Sequence, residues 1–130
     1  MPDERLEERR DAVARAIVDS ALTVHKALGP GLLEGVYEEC LAYELGSRGH
    51  AAQRQVPCPV TYRDIRLDPA FRMDMVVDEL VVVEVKAVES LLPVHEAQLL
   101  TYLRFSGVKL GLLANFNVRL IKDGLRRIRL

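Results

Sequence analysis

The segment Leu80-Val81-Val82-Val83-Glu84-Val85-Lys86-Ala87-Val88 constrains the fold of this chain more than any other. Its density of β-branched residues is that of a central strand covered on both faces. On a strand, Val81, Val83, Val85 and Ala87 point one way, while Val82, Glu84 and Lys86 point the other. A carboxylate and an ammonium thus project side by side from an otherwise apolar strand. Desolvating such ions is costly, and pairing offsets the cost only with good geometry and further partners. A partly exposed surface pair is the plainer alternative. The flanking valines argue against it.

The preceding residues 71–77 repeat the pattern, with Met73, Met75 and Val77 on one side and Asp74 and Val76 on the other. Asp78-Glu79 reads as a tight hairpin turn joining the two strands. Pairing them brings Asp74 beside Glu84 or Lys86 on one face. Two close carboxylates repel, which raises the pKa of one unless a cation fills the gap. Oxygen ligands select Mg²⁺ or Mn²⁺ for that role. A lysine beside such an ion orients a nucleophilic water or stabilises charge developing on a phosphate.

The rest of the chain supplies a frame for these strands. With 130 residues, 49% of them hydrophobic and 28% charged, it reads as one folded domain over residues 1–130 and not as disorder. Val13, Ala16, Ile17, Val24 and Leu28 recur near helical period, giving a helix over about residues 4–28 that Gly29-Pro30-Gly31 ends. A second helix is expected over about residues 33–48, with Gly49 as its stop. Residues 53–63 alternate as a strand, and Pro57 and Pro59 put it near an edge. Residues 65–69 read as a turn. Pro93 opens a third helix to about residue 105, which Gly107 ends. Residues 108–115 follow as a strand, then a terminal hairpin of residues 118–121 and 125–128 around Lys122-Asp123-Gly124. Hairpins make antiparallel pairs and the helical crossover a parallel one, so the sheet should be mixed.

Charge and composition exclude several classes. The longest apolar run, Leu110 to Ala114, cannot span a membrane. The N-terminal residues lack the apolar core of a signal peptide, so a cytoplasmic protein is expected. Cys40 and Cys58 fit no disulfide framework or metal spacing and read as reduced thiols. A net charge of −1 gives no global basic field. Locally, though, residues 117–130 carry five bases against one acid.

Asp74, followed after nine residues by Glu84-Val85-Lys86, resembles the D…(D/E)xK core of the PD-(D/E)XK nuclease superfamily. Gly31-Leu32-Leu33-Glu34-Gly35-Val36-Tyr37 matches the GxxExxY pattern that names a small bacterial and archaeal family within it. The flanking residues 25–31 also look like that family, as do Gln98-Leu99-Leu100-Thr101-Tyr102, which are similar to the QxxxY motif of RecB-like nucleases. The superfamily's proline is absent, since Arg72-Met73 precedes Asp74.

The resemblance implies a restriction-endonuclease-like α/β domain, a mixed central sheet flanked by helices, that hydrolyses phosphodiester bonds with Mg²⁺ or Mn²⁺. Asp74, Glu84 and the Val85 carbonyl would hold the ion, with Glu34 as an additional acidic ligand. Lys86 would position the attacking water, and Gln98 and Tyr102 would support the site. Tyr37 reads better as a packing residue with a tethered hydroxyl, and His25 and His95 are weaker candidates. Arg104, Lys109, Arg126 and Arg127 would hold the phosphate backbone. The expected partner is nucleic acid, DNA favoured over RNA, and so small a chain allows a homodimer or a larger protein partner. The alternative is a nucleic-acid-binding or protein-interaction module that keeps the fold without cutting.

Overall fold

The computed structural model describes residues 2–130. Helix α1 (Pro2–Leu28) and helix α2 (Glu34–Ser47) are followed by strands β1 (Ala52–Tyr62), β2 (Ile65–Val77) and β3 (Val81–Lys86). Helix α3 (Pro93–Ser106) leads to β4 (Leu110–Asn115), a 3₁₀ turn (Ile121–Gly124) and β5 (Leu125–Arg129). The strands form one sheet in the order β1-β2-β3-β4-β5. β3 and β4 are parallel across the α3 crossover, and every other pair is antiparallel. This is the mixed, helix-flanked sheet of a restriction-endonuclease-like fold.

The valine run splits between two faces as its period demands. Val81, Val83 and Val85 join Val13 and Ile17 of α1 and Tyr37, Leu41 and Leu45 of α2 in one apolar layer. Val82 packs with Leu99, Tyr102 and Leu103 of α3 in the other. Gly111 of β4 lets α3 approach closely, since a Cβ there would sit 2.9 Å from Leu99.

Three local expectations need correction. Residues 65–69 are strand, not turn, and pair with β1 through Tyr62↔Ile65, Thr61↔Arg66 and Val60↔Leu67. The chain instead reverses at Arg63-Asp64, with Arg63 left-handed at φ 51°. Residues 61–70 are all exposed, so nothing on this arm shows the alternation that burial imposes. The terminal hairpin does not form either. Residues 121–124 are a 3₁₀ turn, and Leu125–Arg129 pairs with β4 and so completes the sheet. Finally, Met73 does not share a side with Met75 and Val77. It packs in the α3 layer, whereas they pack against α1 and α2. The face changes at Asp74, where the β1–β2 ladder skips the Gln55–Asp74 position and Gln55 has φ 51°.

Candidate active site

Asp74 occupies a gap in both of its ladders. The β2–β3 pairing runs Val77↔Val81, Val76↔Val82 and Met75↔Val83, then stops one rung short of Asp74 and Glu84. Side chains close that rung. A Glu84 carboxylate oxygen accepts the Asp74 N–H at 2.9 Å, and an Asp74 oxygen accepts the Val85 N–H at 2.9 Å. Glu84 is 3% exposed and Asp74 partly buried.

This placement sets their acidity. Burial raises the Asp74 carboxyl above its usual range, and Glu38 and Glu34 on α2 push the same way. The Val85 amide and Lys86 oppose them. Burial also pushes Glu84 up, reinforced by Asp74, to about 8. Lys86 pulls it down but does not prevail. Lys86 is partly buried and is in no ion pair among the described residues. Two crowded acids beside one cation is an arrangement that a further positive charge would relieve.

Glu38 is the acid that sequence reasoning missed. It is 6% exposed, and its carboxylate is held by Arg54 (2.8 and 3.0 Å) and by Gln55 (3.0 Å). Adjacent strand residues normally point to opposite faces. The left-handed backbone of Gln55 lets both reach the same carboxylate. Glu34, one turn earlier, is exposed at the start of α2. The i, i+4 spacing of the two acids was readable in the sequence, whereas the turned backbone opposite was not.

From α3, Tyr102 is buried and stacks on Phe71 of β2, with ring centroids 4.4 Å apart. Burial, then the charges of Glu84 and Asp74, raise its phenol pKa. Gln98, one turn earlier, is exposed. His95 is engaged elsewhere, its Nδ1 accepting the Leu92 N–H at 2.9 Å at the start of α3. His25 is buried, with Nε2 2.7 Å from the Val118 carbonyl. Tyr37 is fully buried and stacked on Phe116, and its hydroxyl donates to Gly29 (2.6 Å) and accepts from Leu32 (3.0 Å). These contacts brace the loop before α2.

The expected phosphate-binding bases are scattered. Arg104 lies in the last turn of α3 and Lys109 precedes β4, both at the sheet end opposite Lys86. Arg127 pairs with Asp11 of α1. Arg126 lies in the same row as Glu84, two strands away, and donates to the backbone carbonyl of Leu125 at 2.9 Å. Asn115, which no motif flagged, fastens the exits of β3 and β4. Its side chain takes the Val88 N–H and donates to the Val88 carbonyl, at 3.0 and 2.9 Å.

A mixed sheet whose central hairpin presents two carboxylates and a lysine defines a nuclease-type fold. A family model described as the PD-(D/E)XK nuclease superfamily matches residues 11–128. The chain belongs to that superfamily. No curated protein and no solved structure matches it. Nucleases of this superfamily typically use divalent metal ions. The donor chemistry fits such an ion, since the interlocked carboxylates of Asp74 and Glu84 offer the oxygen ligands that hard divalent cations take. A closed cage is absent, since no group of three His, Cys, Asp or Glu side chains converges among the described residues. No helix among them is long and apolar enough to cross a membrane.

Proposed function

We propose that the chain is a metal-dependent nuclease of the GxxExxY type, acting on nucleic acid with DNA favoured over RNA. The observation that carries this reading is the interlocked Asp74–Glu84 pair beside Lys86. Asp74, Glu84 and the Val85 carbonyl hold Mg²⁺ or Mn²⁺, which when bound supplies Lewis-acid stabilisation of charge on the phosphate. Lys86 orients the attacking water and stabilises the negative charge that develops. Glu34 and Glu38 add negative potential from α2, and Tyr102 and Gln98 line the α3 side. A homodimer or a larger protein partner belongs to this reading.

One observation favours a second reading. Each carboxylate already satisfies a backbone N–H, so the pair also serves the sheet. A non-catalytic binding module would keep it for that reason alone. Incubation with mixed DNA and RNA in Mn²⁺ or Mg²⁺, against an EDTA control, separates the two. The nuclease degrades one or both polymers only with metal, and the module degrades neither.

A further inference from the structure

Outside the acidic pair, a cleft of about 820 Å³ opens where the end of α1 meets the segment between β4 and the 3₁₀ turn. Its walls bring together Lys26, Arg48, Arg119 and Lys122 against a single acid, Asp19. Arg48 is held by Glu44 and Thr23, at 3.1 and 2.9 Å. Lys26, Arg119 and Lys122 are exposed and in no ion pair among the described residues. Two bases of β5 differ, since Arg127 and Arg129 are matched by Asp11 and Glu7 of α1. Unmatched bases converging in a concavity focus positive potential and draw anions to it.

The cleft lies at the sheet end that carries Lys86. The Phe116 N–H donates to the Lys86 carbonyl at 2.9 Å. Two residues further, Val118 is tied to His25, and Arg119 follows directly into the cleft. On the other wall, the Tyr37 hydroxyl holds Gly29, which ties the cleft to the helix of Glu34 and Glu38. No Phe, Tyr or Trp lines it, so it offers no platform for stacking unpaired bases. Lysine and arginine grip phosphates, which a duplex presents on its outside without unpairing its bases.

We infer that this cleft seats the sugar–phosphate backbone of duplex DNA at the sheet end that carries Lys86, an inference that rests on the nuclease reading above. The test is duplex binding in EDTA across a salt series, using Lys26→Gln/Arg119→Gln/Lys122→Gln, with a single DNA strand as the second probe. Each phosphate contact contributes a slope of about 0.9 in log affinity against log salt, so the triple variant should lose about 2 to 3. Its low-salt affinity for duplex should fall on the order of tenfold or more. The single variant Lys122→Gln should lose about 1 of that slope. All three cleft positions are exposed, so melting temperatures should match. If the wild type binds and cuts duplex DNA and the triple variant binds it equally, the cleft is not the contact and the nuclease reading stands. A loss as large for the single strand overturns the duplex assignment. If the wild type neither binds nor cuts any nucleic acid, both readings fall together.

Discussion

Glu84 accepts the backbone amide of Asp74 at 2.9 Å, while Asp74 accepts that of Val85 at the same distance. The rung that should align β2 with β3 is thus made of the carboxylates offered to a metal. Each oxygen spent on the backbone orients its partner oxygen. This fixes the pair without a third acid.

A bound ion should therefore stabilise the fold. Mg²⁺ or Mn²⁺ at 100-fold its Kd adds about 2.7 kcal/mol, worth on the order of 10 °C in Tm for a domain of this size. The Asp74→Asn/Glu84→Gln double variant should show no metal response. Its amides keep an oxygen for each backbone N–H and lose the repulsion, so its metal-free Tm should be no lower than the wild type's. Thermal melts with EDTA and with metal check both points, and a metal response that survives in the variant would place the ion elsewhere.

Lys86→Ala should abolish cleavage while the protein stays folded. The ammonium is partly buried and in no ion pair among the described residues, so its loss costs the fold little. Losing charge stabilisation at the reacting phosphate costs roughly 100-fold or more in rate. Circular dichroism and a single-turnover cleavage assay separate these effects. Cutting at the wild-type rate would remove Lys86 from the chemistry.

Without metal, stability should fall as pH rises from about 4.5 towards 8. Glu84 titrates near 8 in the folded protein against an ordinary value of 4.5. Between those limits the folded state binds more protons than the unfolded one, so raising the pH favours unfolding. The full excursion amounts to at most about 5 kcal/mol. Urea midpoints in EDTA at pH 5 and pH 8 should differ in that direction for the wild type and much less for Glu84→Gln. A midpoint that rises with pH in the wild type alone would contradict the buried acid.

Gly124→Ala should destabilise by roughly 1–3 kcal/mol. An added Cβ there would meet the Asn115 carbonyl oxygen at 2.1 Å, which is backbone and cannot swing aside. Gly46→Ala, inside α2 with nothing within 4 Å of the added carbon, should instead stabilise by about 0.5–1 kcal/mol. Denaturant melts of the two variants should move in opposite directions. A neutral Gly124→Ala would mean the 3₁₀ turn can shift without cost.

The elements that burial patterns strongly were readable from the sequence. The valine strand, the amphipathic α1, the glycine-stopped α2, the proline-opened α3 and the prolines of the edge strand β1 all carry their own local signals. Asp74, Glu84 and Lys86 stood out because charge in an apolar strand demands a reason. Glu38 did not, because its burial depends on Gln55 adopting a left-handed backbone that its side chain does not announce. Residues 65–69 misled for the opposite cause. No core shapes them, and Asp68-Pro69 carries the chemistry of a turn inside a strand. Which bases meet in space was not legible either: Arg126 and Arg127 adjoin in the sequence, but folding pairs Arg127 with Asp11 and brings Lys26, Arg119 and Lys122 to one cleft from distant positions.

Strand β2 joins two regions of different purpose. Its inner half carries Asp74, and its outer half, with the end of β1, forms an arm whose residues 61–70 all face solvent. Lengthening or trimming such an arm changes only the closure of a surface loop, a cost that grows slowly with length. The arm is thus where this architecture can take inserted sequence, or a tag for attachment to a surface, without shifting the carboxylate that lies further along the same strand.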